Sequence, residues 1–210
     1  MHIPTIFDND YEGDIERYSI SDEKFHHLEK VLRVKNDSIV KLTNGRGLIS
    51  SGRISNKFIT ISETELKQRD NKVNIFIAKL HDKTRMRLLI EKLTELGVQS
   101  ITIAPTENSQ KINITPEKIN SWIIGAIEQS GAPFAPELLI EKKIDFEKFP
   151  HSFDISGDNI SNNIKLKNFA IGPEGGWSKE ELKRFKHISK LSNFTLRSDT
   201  AALVAVSLMM

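Results

Sequence analysis

A chain of 210 residues has room for one domain or two small ones, and 38% hydrophobic residues with eleven Phe support a folded core rather than disorder. Thirty Lys and Arg against 28 Asp and Glu leave a net charge of +2, so any nucleic-acid site must be a local patch and not a whole-surface field. Without cysteine there is no disulfide, zinc-finger site or thiol nucleophile, and the six scattered histidines suggest no metal.

The first third reads as β-rich. A helical segment comes early, with Asp22 as its expected cap and Phe25, Leu28 and Val31 or Leu32 on one face. Ser38 to Leu42 alternates as a strand does, Asn44-Gly45 signals a turn, and short strands are expected at Leu48-Ile49, Gly52 to Ile54 and Lys57 to Ile61. The polar stretch Lys67 to Lys72 marks a domain boundary, dividing residues 1–68 from residues 72–210.

Beyond the boundary the pattern becomes strand-helix alternation, an α/β arrangement with a mostly parallel sheet. Val73 to Leu80 reads as a strand. Lys83 to Leu96 reads as an amphipathic helix, with Met86, Leu89, Ile90, Leu93 and Leu96 at helical spacing and Gly97 at the stop. Val98 to Ala104 is the next strand. Pro116 opens a helix whose apolar stripe is Trp122, Ile123, Ala126 and Ile127. Strands follow at Phe153 to Ile155 and Phe169 to Ile171. Ser178 and Glu181 have capping-box spacing, with Trp177 and Leu182 as a hydrophobic staple, and the spacing predicts a helix from Lys179 to about residue 189. A short strand is expected at Phe194 to Leu196. The final helix, Asp199 to Met210, is apolar nearly all round and so belongs in a core or a subunit interface. That apolar run is too short to span a membrane, and the N-terminus lacks a secretory leader, so a soluble cytoplasmic protein is expected.

Two stretches carry chemistry. Ile171-Gly172-Pro173-Glu174-Gly175-Gly176-Trp177 leaves a strand and ends at a helix cap. It has neither dinucleotide-fingerprint nor phosphate-loop spacing, so on the residues alone it is either a structural turn or a bend whose backbone N–H groups hold a ligand. Leu191 to Ala202 would deliver Arg197 and Asp199 to the start of the last helix. There both readings are again open, a structural ion pair or a site.

Five blocks in order make the chain recognisable. His26-His27-Leu28 with Val31-Leu32-Arg33, Glu91 to Val98, Glu128-Gln129-Ser130-Gly131, Ile171 to Trp177 and Leu196 to Ala201 together resemble the RsmE family. Its members are bacterial methyltransferases of the SPOUT class that act on N3 of a uridine in 16S ribosomal RNA. The resemblance covers essentially the whole chain. It implies a small PUA-like β-barrel followed by a SPOUT domain with a trefoil knot, a homodimer, S-adenosylmethionine as cofactor, and a substrate within an assembled or nearly assembled 30S subunit. It also implies that Gly172, Pro173, Glu174, Gly175 and Gly176 face the cofactor from one side and Leu191, Ser192, Leu196 and Arg197 from the other. A third loop follows the strand near Phe153 to Ile155. In catalysis Arg197 is expected to stabilise charge, Glu174 to act as an acid–base group or fix the loop, and Asp199 to orient Arg197. For RNA, Arg33 is the leading candidate, with Lys24, Lys30, Lys35, Arg46 and Arg53 beside it. Lys83, Arg85 and Arg87 add a basic edge at the central helix.

The chain also departs from the family. Thr5, Asn108 and Ala132 stand where arginines are usual, Asp199 replaces Glu and Ser192 replaces Gly. Arg offers a planar five-donor fork that these residues cannot imitate. The departures keep two rival readings in view: a methyltransferase for another ribosomal or transfer RNA position, and an RNA-binding protein that retains the fold without catalysis.

Overall fold

The computed structural model describes residues 3–31, 34–109, 114–160 and 165–210. It divides into two compact units, one of residues 1–70 with 124–135 and one of residues 71–123 with 136–210.

The first unit is built on a five-stranded sheet in the order β1-β3-β4-β5-β2. Its strands are β1 (Thr5–Phe7), β2 (Arg17–Ser19), β3 (Ile39–Thr43), β4 (Leu48–Ser55) and β5 (Phe58–Leu66). β1 runs parallel to β3 and the other pairs are antiparallel. This is a half-barrel rather than a closed one. Leu48-Ile49 and Gly52 to Ile54, expected as separate strands, belong to the single strand β4, which bends through a register shift at Ser51/Gly52. The core is Ile6, Tyr11, Ile20, Leu28, Val40, Leu42, Ile54 and Ile59. Helix α1 (Asp22–His26) is capped by Ser21, not Asp22: the Ser21 hydroxyl accepts the Lys24 N–H at 3.3 Å, and Asp22 falls in the first turn. A π-turn, His27–Val31, continues it.

The second unit holds a six-stranded, all-parallel sheet in the order β11-β9-β10-β6-β7-β8. The strands are β6 (Asn74–Ala78), β7 (Ser100–Ala104), β8 (Glu137–Ile140), β9 (His151–Asn159), β10 (Asn168–Ile171) and β11 (His187–Lys190). Central strands buried on both faces read as continuous apolar runs, and β7 is buried at all five positions. Helix α2 (Lys83–Glu95) buries Met86, Leu89, Ile90 and Leu93, each contributing about 1.5–3 kcal/mol, and ends at Leu96. Helix α3 (Pro116–Ser130) starts at the predicted proline.

Two expectations near the C-terminus are corrected. Helix α4 (Lys179–Leu182) is one turn long and does not reach residue 189. Phe185 turns into an aromatic cluster with Phe146 and Trp177, and residues 187–190 pair with β9 instead. Residues 194–196 are not a strand, because the hydrogen-bonding edge of β9 is already taken by β11. The capping box of Ser178 and Glu181 is formed. Helix α5 (Ser198–Met209) buries Ala202, Ala205, Val206 and Met209, while Leu208 stays exposed. Among the described residues no helix is long and apolar enough to cross a membrane.

Candidate active site

The parallel strands of the second unit deliver three chain segments to one cavity of about 550 Å³, within the ~300–1,000 Å³ common for small-molecule sites. Its wall comprises the glycine loop after β10, the segment between β11 and α5, and the middle of β9.

The glycine loop is a tight turn: the Gly176 N–H donates to the Pro173 carbonyl at 2.9 Å. Gly172 lies flat against the Trp177 indole, where a Cβ would come within 3.0 Å of Nε1, so no other residue fits without displacing the ring. The loop therefore offers backbone rather than side chains to the cavity. The Trp177 indole N–H is buried beside it without a partner among the described residues, an arrangement that costs free energy and marks a constrained site.

The β9 wall has a cause that no periodicity exposes. Ser152 pairs with Ile188 of β11, yet the next β11 residue, Ser189, pairs with Asp158. Residues 153–157 thus bulge out with no counterpart on β11, and Phe153, Asp154 and Ile155 line the cavity. The bulge folds back at Gly157, whose added Cβ would sit 2.7 Å from the Ile188 backbone. Asp154 fixes the bend by accepting from the Ser156 N–H at 2.9 Å and its hydroxyl at 2.6 Å.

Arg85 joins the segments. It sits in the first turn of α2, where Asp82 caps the helix by accepting the Thr84 and Arg85 N–H groups at 2.7 and 3.1 Å. Its Nε and Nη2 donate to the two Asp199 oxygens at 2.9 and 2.7 Å, and Nη1 donates to Glu174 Oε1 at 3.2 Å. The fork holds the Asp199 carboxyl below the usual carboxylate range, chiefly through these hydrogen bonds. Asp199, expected to orient Arg197, orients Arg85 instead, because the first turn of α5 faces the start of α2. Glu174 is likewise occupied, accepting from Arg85 and, at 3.4 Å, from the His81 N–H. Asn108 donates to the carbonyls of Gly176 and Gly175 at 3.1 and 3.4 Å and so tethers the glycine loop.

Gly172, Pro173, Glu174, Gly175, Gly176, Leu191, Ser192, Leu196 and Arg197 all border this cavity. Arg197 is exposed at the N-cap of α5, where its carbonyl accepts the Ala201 N–H at 2.8 Å, while its guanidinium makes no cap bond and no hydrogen bond or ion pair with another side chain among the described residues. Arg85 was legible only as part of a basic edge, and neither Asn108 nor the β9 bulge had a local signal. The basic residues of the first unit are more dispersed. Lys24 pairs with Asp8 at 2.7 Å, Lys30 with Glu29 at 3.2 Å and Arg46 with Glu12 at 2.8 Å. Arg53 donates to the Asp37 carbonyl at 2.9 Å, and Lys35 is exposed. Arg33 lies outside the described residues. Among the described residues no group of three or more His, Asp or Glu is arranged to hold a metal.

Half-barrel, parallel sheet and cavity define a PUA-type domain followed by a SPOUT-type RNA methyltransferase domain: residues 20–63 match the RNA methyltransferase PUA domain family and residues 67–210 the RNA methyltransferase domain family. Among curated relatives, the chain is 30% identical to ribosomal RNA small subunit methyltransferase E of Aquifex aeolicus over 75% of each chain. It is 28% identical to the protein of that name from Buchnera aphidicola, covering 98% of this chain and 92% of the relative. The ribosomal RNA small subunit methyltransferase E of Neisseria gonorrhoeae, solved bound to S-adenosylmethionine, superposes with a TM-score of 0.82 at 25% identity, covering 99% of this chain and 97% of that one. The chain belongs to the ribosomal RNA small subunit methyltransferase E family.

Proposed function

We propose that the protein transfers a methyl group from S-adenosylmethionine to N3 of a uridine in 16S ribosomal RNA. In this reading residues 1–68 form the RNA-binding domain and residues 72–210 the catalytic domain, with the C-terminal chain threaded as a trefoil knot. The active form is a cytoplasmic homodimer acting on an assembled or nearly assembled 30S subunit. The observation that carries the reading is the cavity, in which a backbone-lined glycine loop faces a segment ending in Arg197, whose guanidinium has no partner among the described residues. The named relatives and the cofactor in the Neisseria gonorrhoeae structure support it.

The lining fits the cofactor. The crowded Gly172 leaves the loop backbone open to polar ligand atoms, while Leu191, Leu196 and Ile155 supply apolar wall. Gly172 to Gly176 with Leu191, Ser192 and Leu196 would hold it. When bound, S-adenosylmethionine supplies a methyl carbon already activated by its sulfonium, so the reaction calls for no metal. The protein's work is alignment and charge management. Uridine N3 carries a proton and becomes a nucleophile as that proton leaves, building negative charge on the flanking carbonyl oxygens. Arg197, whose guanidinium has no partner among the described residues, stabilises that charge in this reading. Glu174 and Asp199 are committed to Arg85, and the depressed pKa of Asp199 makes it a weak base. Both act as positioning residues. Lys24, Lys30, Arg33, Lys35, Arg46 and Arg53 contact RNA backbone, each contact adding to the salt dependence of binding.

The test is methyl transfer by wild type and Arg197→Ala to unmodified 30S subunits and free 16S RNA. A product methylated at N3 by wild type, with kcat reduced about 100-fold or more in the variant, agrees with loss of one preorganised charge-stabilising donor. Transfer to a base carbon or a ribose would contradict the assignment.

A further inference from the structure

The aromatic residues on the cavity wall are Phe153, Trp177 and Phe194. The first two are core residues whose rings are already engaged. Phe153 packs edge-on against Phe169 with centroids 5.5 Å apart, and Trp177 contacts Phe76 and Phe185 at 6.2 and 4.8 Å. Phe194 differs. It is 80% exposed, the most exposed large hydrophobic residue among those described, and no ring contact engages it there. A lone exposed hydrophobic residue needs no explanation in itself. Its position supplies one. The residue is held at the cavity by its own segment, its N–H donating to the Ser192 hydroxyl at 3.1 Å, and it lies three residues before Arg197.

We propose that Phe194 is the stacking platform for the target base at the mouth of the cofactor cavity. The inference rests on the reading of this cavity as a site of RNA base methylation. N3 of uridine lies on the pairing edge, so the base must be unpaired and drawn out of its stack before that atom is reachable. An extruded pyrimidine loses stacking on both faces, and an exposed aromatic ring restores part of it without regard to sequence. Phe194 and Arg197 then divide the recognition of one base. The ring takes its face, and the guanidinium takes the edge on which charge develops. The platform is thus a substrate-binding side chain carried on the same segment whose Leu191, Ser192 and Leu196 would hold the cofactor, so cofactor affinity must be measured beside RNA turnover.

The experiment compares wild type with Phe194→Ala and Phe194→Trp. It measures kcat and KM for 30S subunits, S-adenosylmethionine affinity by calorimetry, and oligomeric state by sedimentation. Stacking of one base on an aromatic ring corresponds to a loss of about 5- to 150-fold. Phe194→Ala should lower kcat/KM for RNA within that range, keep cofactor affinity within about twofold, and leave sedimentation unchanged. Phe194→Trp should restore activity, because the larger ring stacks at least as well. Wild-type kcat/KM in Phe194→Ala overturns the platform while leaving the methyltransferase reading intact. So does a loss that accompanies dissociation into monomers, which would assign the ring to a subunit interface, or a loss explained by weakened cofactor binding. A wild-type protein inactive on RNA overturns the methyltransferase reading, and the platform with it.

Discussion

Arg85 is the residue whose removal should do most damage without touching the reaction. Its guanidinium ties the glycine loop, through Glu174, to the start of α5, through Asp199, with contacts of 2.7, 2.9 and 3.2 Å. The Arg85 and Asp199 side chains are only 20% and 15% exposed. The pair therefore falls between exposed ion pairs, at about 0–1 kcal/mol, and buried ones, whose breakage costs about 3–5 kcal/mol. A cost of about 2 kcal/mol is reasonable for charged hydrogen bonds of this burial. If the cavity walls must be held together for the cofactor to bind, Arg85→Ala weakens S-adenosylmethionine affinity by up to about 30-fold. Arg85→Lys keeps the charge but loses the fork, and should fall roughly midway on a logarithmic scale. Calorimetric titration of wild type, Arg85→Ala, Asp199→Ala and the double variant reads this directly. The double variant should be little worse than Arg85→Ala, with a coupling of about 1 kcal/mol or more, as expected for contacting residues. Affinity within twofold of wild type in Arg85→Ala, or strict additivity in the double variant, would refute the clamp. The sign with pH is fixed by the depressed Asp199 pKa: the contribution is complete above the ordinary value of 3.8 and is lost as pH falls through the lower folded value.

Other outcomes follow from single residues. Gly172→Ala sets a methyl 3.0 Å from Trp177 Nε1, so the ring must shift by a few tenths of an ångström and cofactor affinity should fall, and a calorimetric titration indistinguishable from wild type would contradict the crowding. Cofactor binding should change Trp177 fluorescence, since the indole lines the cavity, and the change should vanish in Trp177→Phe but persist in Trp122→Phe. Burial raises the Glu128 pKa although its carboxylate accepts the Phe7 N–H at 3.2 Å, so the charged form costs stability above the ordinary value of 4.5. Glu128→Gln keeps an acceptor and should raise the urea midpoint at pH 7, with the gain disappearing below about pH 4.5. His151 is held below its ordinary 6.5 by burial and by His187, so the unfolded chain takes up a proton that the folded one resists. Stability should fall as pH drops below about 6.5, and His151→Gln should flatten that fall in denaturation measured at pH 7 and 5.5.

What was legible in the sequence was local. The apolar spacing of α2, the proline opening α3 and the Ser178–Glu181 box depend on residues within a turn of one another, so pattern and structure agree. Failures began where a distant strand decided the outcome. Residues 183–189 carry a helical-looking pattern, but the open edge of β9 recruits 187–190 into the sheet and Phe185 into the aromatic core. β1 and β2, of three residues each, are too short to show alternation. At the site, the glycine loop and the Leu191 to Arg197 segment were visible as motifs. Arg85 and Asp199 stand 114 residues apart, and only the fold could pair them. The five-residue bulge of β9 likewise arises from mismatched register with β11, a property of two strands rather than one.

The most direct test of the account is methyl transfer from labelled S-adenosylmethionine to small-subunit RNA, with the product located by mass spectrometry. The expected product is one methyl at N3 of a single 16S uridine, delivered to 30S subunits by wild type and lost in Arg197→Ala. Tight cofactor binding without transfer to 30S subunits or free 16S RNA would contradict it and favour a different RNA target or a binder without catalysis.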